Sequence, residues 1–247
     1  MSAPTLSLII PTLNEAAALP GTLASIDQMT GTRPEVIIAD AGSTDATVEI
    51  ARNAGAKVVT GLQKGRARQM NAGAEQATGE HLCFLHADTI APPDMAKTIA
   101  DTLTKRGTAC GGFVSIMRGP DRTRWATSAH NYLKTYYAPA LFRPVSFLRG
   151  ARLLFGDQAI FCRASSFHAI GGYDPDQAIM EEADFLLRLV RAGEGRVRQV
   201  HRLIYSSDRR VAAWGGLGAN LKYLEIGILW GLGMPSEKLA LRYRDVR

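Results

Sequence analysis

His81-Leu82-Cys83-Phe84-Leu85-His86-Ala87-Asp88-Thr89 is an apolar run that ends on a lone carboxylate. A short apolar run of this kind reads as a buried strand, which puts Asp88 just past the strand's carboxyl end. In an open α/β sheet, that edge is where ligands bind. A single Asp there also serves as a cap for the next helix or turn, so its meaning rests on the segments around it.

Upstream, short apolar runs alternate with helical patterns. The spacing predicts strands at about 6–11, 35–40, 56–60 and 81–86, and helices at about 15–29, 45–55, 66–78 and, behind Pro92-Pro93, 93–106. That alternation is the signature of βαβ units, hence of a Rossmann-like, mostly parallel central sheet flanked by helices. Downstream lie a β-rich stretch from Ala109 to Met117, a helical aromatic segment from Arg122 to Leu141 and a strand over Gln158–Cys162. A turn at Gly171–Pro175 then precedes a helix from about Glu181 to Ala192, and a helical tail follows from Val211. With no repeat, low-complexity tract or linker, the chain reads as a single domain.

Hydrophobic residues make up 46% of the 247 positions and charged residues 21%, ordinary globular values that disfavour wholesale disorder and the collagenous and disulfide-rich classes. The net charge of +6 suits an anionic partner such as nucleotide phosphates, nucleic acid or acidic lipid. Cys83, Cys110 and Cys162 are odd in number and lack CxxC spacing, so they read as buried, reduced thiols. Leu6–Ile10 is too short for a signal sequence and has no basic leader. No run reaches the roughly 20 apolar residues of a membrane span. Val211–Met234 comes nearest, but it is glycine-rich and carries Lys222 and Glu225; it reads as a helical tail that is free to be interfacial. The expectation is a cytoplasmic protein that does not bind nucleic acid, with peripheral membrane contact and a homodimer both left open.

The first strand runs into Pro11-Thr12-Leu13-Asn14-Glu15 without the glycine fingerprint of a dinucleotide fold, and no Walker sequence occurs anywhere. Asn14 suits helix capping and ligand contact equally. In Asp40-Ala41-Gly42-Ser43-Thr44-Asp45, Gly42 permits a tight turn and Ser43, Thr44 or Asp45 can cap the next helix. Asp40 is left to accept a base N–H or a ribose hydroxyl at the crevice. The third helix opens at Lys64-Gly65-Arg66-Ala67-Arg68, with Ala67, Met70, Ala74 and Ala77 on its packing face. Arg66 and Arg68 oppose the dipole at that terminus; a bound diphosphate would favour both, and a solvated basic surface is the alternative. In Glu181-Glu182-Ala183-Asp184, about 100° per residue puts Glu182 on the face of Leu186, Leu189 and Val190, pointing inward. Asp184, Arg188 and Arg191 take the polar face, and Glu181 suits the helix dipole.

In this order, Ile10-Pro11-Thr12-Leu13-Asn14-Glu15, Asp40-Ala41-Gly42-Ser43-Thr44-Asp45 and His86-Ala87-Asp88 resemble family 2 glycosyltransferases of the GT-A fold over roughly residues 5–210. The small soluble arsenosugar-biosynthesis or radical-SAM-associated transferases are the subgroup with the most similar flavour. The resemblance implies a GT-A-like α/β fold in which about 1–118 binds a nucleotide-diphosphate sugar of UDP or GDP type, about 119–210 serves acceptor and catalysis, and the tail follows. It places Pro11, Asn14, Glu15 and Asp40 on the nucleotide side, with Gly65, Arg66, Arg68, His86, Arg209 and Arg210 around the rest of the donor. It also places Asp88 on Mn²⁺ or Mg²⁺, which commonly take one or two protein carboxylates plus substrate phosphates. Glu182 becomes the base that takes the acceptor hydroxyl's proton in an inverting transfer.

Three departures from the family pattern stand out. His86 occupies the first position of the usual Asp-x-Asp, either as a strand-end histidine bonded to a neighbour or as a neutral imidazole toward metal, phosphate or ribose. Glu182 stands where the second carboxylate of a Glu-Asp pair is typical. Ser207-Asp208-Arg209-Arg210 takes the place of a late basic motif without the full Gln-x-x-Arg-Trp, leaving Arg209 and Arg210 as phosphate contacts or a surface pair. Gly156-Asp157-Gln158 resembles the family's acceptor-side segment, and Trp125, Tyr132, Tyr136 and Tyr137 suit acceptor stacking or packing. Two other classes compete. A sugar nucleotidyltransferase would need a glycine- and arginine-rich loop after the first strand, which Pro11–Glu15 is not. A non-catalytic nucleotide or anionic-lipid binding module fits the basic balance.

Overall fold

Strand β1 (Leu6–Thr12) is buried on both faces, with Ile9 in one core and Leu8 and Ile10 in the other. An unbroken apolar run that alternates between two cores is what a parallel strand covered by helices on both sides requires. The computed structural model describes residues 5–243. In it, β1 pairs in parallel with β2 (Glu35–Asp40) and β4 (His81–Phe84), and β2 with β3 (Lys57–Val59). Helices α1 (Leu19–Asp27), α2 (Thr47–Asn53) and α3 (Arg66–Glu75) form the crossovers.

Past β4 come the short strand β5 (Thr89–Ile90), helix α4 (Met95–Leu103) and strand β6 (Thr108–Arg118). Helices α5 (Trp125–Phe142) and α6 (Pro144–Leu148) follow, then a 3-10 turn at Gly156–Gln158, strand β7 (Ile160–Arg163) and helix α7 (Ala164–Ala169). Helix α8 (Glu181–Arg191) and strand β8 (Arg196–Ser207) lead into α9 (Arg209–Trp214), α10 (Gly216–Gly231) and α11 (Ser236–Arg242). The sheet has eight strands in the order β3-β2-β1-β4-β7-β6-β8-β5. β7 and β5 run against the others, so the sheet is mostly parallel, as predicted.

The chain leaves β1 toward β2 and β3 on one side and returns to β4 on the other. β1 and β4 therefore flank the topological switch point, where the loops after two adjacent strands splay apart and open a crevice. Thr12 lies level with Asp40 in the β1–β2 register, and Ile9 level with Phe84 in β1–β4. The loops that carry Pro11–Glu15, Asp40–Asp45 and His86–Asp88 thus leave the sheet at one edge.

Element boundaries differ from expectation where tertiary bonds compete with local propensity. α1 begins at Leu19 instead of residue 15, because Glu15 N–H donates to Thr47 Oγ1 (2.8 Å) and Ala16 N–H to Asp45 Oδ2 (3.1 Å), which holds this segment as a loop. α3 ends at Glu75 and the aromatic segment forms α5 with Pro139 inside it. β8 has no counterpart in the sequence reading, because the buried polar Gln199 and the exposed run His201–Leu203 break the apolar/polar alternation. It is held as a strand by long parallel pairing to β6, with two register shifts. The three cysteines are buried and free, as expected.

Candidate active site

The crevice at the switch point opens into a cavity of about 370 Å³ walled by the start of α3, the end of β4, the Gly156 turn, the start of α8 and α5, with α10 and α11 closing over it. A smaller cavity of about 40 Å³ lies toward Pro11, Thr12 and Glu15. Arg66, His86, Asp88, Arg209 and Arg210 line both. The residues after β4 therefore form a partition between two chambers.

On the smaller side, Arg209 reaches across from α9 and donates two hydrogen bonds to the Glu15 carboxylate, at 2.7 and 2.6 Å, and its Nη2 lies 3.3 Å from Asp88 Oδ2. A planar guanidinium matches a carboxylate in this bidentate way. Asp88 is 12% exposed at its side chain. Burial pushes its carboxyl above the usual range; Arg209 opposes that and the nearby Glu15 adds to it. His86 is driven well below the usual imidazole range, first by burial and then by Arg66, Arg210 and Arg209. It is a neutral ring at physiological pH.

On the larger side, Glu181 and Glu182 open α8 and are buried. Burial, reinforced by the neighbouring Glu181 carboxylate and opposed by Arg66, raises Glu182 to about 8. Gly156 explains how Glu182 and His86 come together. A Cβ at Gly156 would fall 2.2 Å from His86 Nε2 and 2.6 Å from Glu182 Oε1, so both groups crowd the space a side chain would fill. Gly156→Ala is expected to push the pair apart and lower turnover about tenfold, a modest outcome for a shift of ~1 Å in reacting groups. Steady-state kinetics alongside circular dichroism would check this; an unchanged kcat in a folded variant would show that the spacing does not matter.

Among the described residues three non-glycine positions have positive φ: Asn14 at 55°, Ala159 at 46° and Met180 at 64°. Each adjoins one of the site loops: the β1 exit, the Gly156 turn and the start of α8. Left-handed backbone outside glycine costs free energy and is concentrated at functional sites.

Most expected site residues converge here, and three are engaged elsewhere. Pro11 and Glu15 line the smaller chamber, Gly65 and Glu182 the larger, and Arg66, His86, Asp88, Arg209 and Arg210 line both. Asp40 does not stand open to a base. Its Oδ1 accepts from the Thr12 and Ser43 hydroxyls and its Oδ2 from the Gly42 and Ser43 amides, so all four acceptor positions are taken within the loop. Asn14 is likewise engaged: its side-chain Oδ1 accepts the Thr44 backbone amide at 2.8 Å while its backbone N–H donates to Ser43 Oγ. Arg68 points away from the crevice, where its guanidinium meets Asp176 at 3.3 Å and the Pro175 carbonyl. The helix turn that places Arg66 in the crevice rotates Arg68 out of it.

Other site residues were not singled out from the sequence. Gln69 is buried and donates to the carbonyls of Thr12 (2.8 Å) and Ala39 (2.7 Å), pinning α3 to the ends of β1 and β2. Lys134 extends from α5 into the larger chamber, its ammonium 3.7 Å from the centre of the Phe155 ring and 5.5 Å from that of Tyr223. Burial pushes it down to about 8, against the pull of Asp157 and Glu182. Asp157 in turn accepts from Asn131 Nδ2 at 2.6 Å. No local pattern marks Lys134, because α5 carries polar and apolar residues around its whole circumference.

A mostly parallel α/β sheet flanked by helices, with a crevice at its switch point lined by arginines and buried carboxylates, is the architecture of a GT-A glycosyltransferase. The chain belongs to glycosyl transferase family 2, whose family model matches residues 7–166. It is 32% identical over 232 residues to a PGL/p-HBAD biosynthesis glycosyltransferase of Mycobacterium bovis, covering 88% of this chain and 80% of that one. An uncharacterized glycosyltransferase of Haemophilus influenzae is 26% identical over 188 residues, covering 75% and 62%. Among solved structures, glucosyl-3-phosphoglycerate synthase from Mycobacterium tuberculosis, in complex with Mn²⁺, UDP-glucose and phosphoglyceric acid, shares the fold at a TM-score of 0.66 and 21% identity, covering 94% and 81%.

Proposed function

We propose that this glycosyltransferase moves a sugar, with inversion, from a nucleoside-diphosphate donor to a hydroxyl of an acceptor held in the larger chamber. One observation carries the reading: His86 and Asp88 form a wall common to both chambers, and Glu182 stands beside His86 on the larger side. Donor diphosphate at the partition would leave its sugar facing Glu182. A UDP-type donor is the first to test, since the similar synthase was solved with UDP-glucose.

In the transfer, Glu182 takes the proton of the acceptor hydroxyl as that oxygen attacks the anomeric carbon and the bond to the diphosphate breaks. Arg66, Arg209 and Arg210 stand where negative charge develops on the leaving diphosphate and would stabilise it. His86, held neutral, donates or accepts a hydrogen bond without adding charge. The position between Glu15 and Asp88 already attracts a cation, because Arg209 lies there. Among the described residues no group of three or more metal-ligating side chains converges. For Mn²⁺ or Mg²⁺, Asp88, with Glu15 at hand, would supply protein oxygen and the donor's phosphates the rest. A cation held there supplies charge neutralisation to the leaving group. Arg209 must shift from Asp88 to make room.

Thermal shift with UDP- and GDP-sugars, each with Mn²⁺, with Mg²⁺ and with chelator, tests the reading. Stabilisation that needs donor and metal together is expected. Equal stabilisation in chelator would remove the metal from the proposal, and pyrophosphate release from a nucleoside triphosphate plus sugar phosphate would replace it with nucleotidyl transfer.

A further inference from the structure

Helix α10 is apolar on two opposite sides. At about 100° per residue, Ala219, Tyr223, Ile226 and Trp230 share the inner face; Tyr223 and Ile226 line the larger chamber, while Trp230 packs on the core. Leu217, Leu221, Leu224 and Ile228, with Leu232 at the C-cap, share an outer arc of about 80°, and all five are exposed, Leu217 at 76% and Leu232 at 74%. A helix that is apolar on both sides needs partners on both.

The outer stripe continues onto its neighbours. α10 packs against α5, and α5 against α6. At their ends the approach is close: Arg143 donates to the Gly231 carbonyl at 2.9 Å, and Phe142 lies where a Cβ at Gly231 would be. Around that junction Leu141, Val145 and Leu148 are exposed at 69%, 62% and 80%. Trp125 and Leu133 are exposed on α5 as well, but at about 100° per residue they lie about 160° and 80° around that helix from Leu141, so only its C-terminal end carries the stripe on. Elsewhere among the described residues, large exposed hydrophobics are few: Ile90, Leu203 and Tyr205, besides Leu241 on α11.

Charge selects the occupant. From Arg122 to Gly156 the sequence contains no Asp or Glu, and of its basic residues Arg122 and Arg149 are exposed and Arg143 and Arg152 half-buried, while Arg124 is paired with Asp208 and Lys134 is turned into the larger chamber. Two copies meeting through this face would set basic segment against basic segment. An anionic bilayer surface complements both the leucines and the arginines, as it does for interfacial helices. No helix of the described residues is long and apolar enough to cross a membrane, so contact would be from the surface. We infer that the C-terminal end of α5 and the outer faces of α6 and α10 seat this protein on the surface of an anionic phospholipid bilayer, with the larger chamber directly beneath α10.

The test is flotation of the full chain with vesicles of equal parts phosphatidylglycerol and phosphatidylcholine, against vesicles of phosphatidylcholine alone. Binding is expected to the anionic vesicles, to weaken with salt, and to fall about fivefold in Arg149→Ala, the loss expected for one basic contact with an anionic surface. Leu148→Glu combined with Leu232→Glu should abolish it while circular dichroism and donor binding stay unchanged, since both side chains are exposed. Failure of the wild type to float with anionic vesicles, or flotation of the double variant like wild type, would overturn the inference. So would a wild-type dimer in light scattering that the same two substitutions dissolve, which would assign the face to a second copy. Donor binding, read separately, keeps this outcome apart from that of the proposed transfer.

Discussion

Glu182→Gln is expected to lower kcat by about 10²–10⁴-fold, the range a positioned general base supplies, while donor affinity stays within about twofold. Gln keeps the shape and the buried position at the start of α8 and loses only the ability to take a proton. The wild-type rate should rise with pH as Glu182 ionises, with a midpoint at about 8, and the variant should lose that limb. Transfer by the variant at the wild-type rate would show that the base lies elsewhere.

The same substitution has a stability signature of opposite sign. Folding raises the Glu182 pKa from an ordinary 4.5 to about 8, so the folded state holds a proton across that window which the unfolded chain has released. Stability therefore falls as pH rises between those values. Glu182→Gln removes that contribution, so its melting temperature should exceed that of the wild type, by a margin that widens from pH 5 to pH 8. A variant that is both inactive and more stable would separate loss of chemistry from loss of fold. Equal melting temperatures across the range would mean that the carboxyl is not perturbed by burial.

Asp88→Asn is expected to lower kcat/KM by about 10³-fold, comparable to losing a group that stabilises developing charge, and to erase the metal dependence of donor binding. The isosteric amide preserves the turn after β4, whose Asp88 carbonyl accepts from the Ser207 amide at 3.2 Å. It removes the carboxylate that, among the described residues, faces both chambers. Arg209 keeps its two bonds to Glu15, so the fold of the partition survives. Calorimetric titration of donor with and without Mn²⁺ distinguishes the outcomes. If the Asn variant still bound donor only when metal was present, Asp88 would not be the anchor.

The parallel half of the sheet was legible because each of its strands is a short unbroken apolar run, a pattern that needs no knowledge of the rest of the chain. Asp88, Glu15 and Arg66 were legible for a related reason, since residues just past a strand's carboxyl end or at a helix start lie at the crevice by construction. Glu182 was legible through helical phase alone. Strand β8 was not, because Gln199 and the run His201–Leu203 interrupt the alternation, and pairing with β6 and β5 holds it extended. Nor was Lys134, whose approach to Glu182 depends on α5 crossing over the Gly156 turn.

Asp40 and Arg68 show the limit most clearly. Their positions were read correctly as strand end and helix start, yet other groups take up their hydrogen-bonding capacity: Gly42 and Ser43 of its own turn, with Thr12 across the register, for Asp40, and the distant Asp176 for Arg68. The sequence by itself determined the fold class, the crevice and the side of the sheet on which its carboxylates stand, because strand and helix periods are local properties of the chain. The tertiary structure alone decided which of those groups are already bonded within the fold, which lysine lines the larger chamber, and that α10 shows leucines to solvent while its other side faces the chamber and core. Those outcomes turn mostly on contacts between segments tens to hundreds of residues apart, and no local period encodes them.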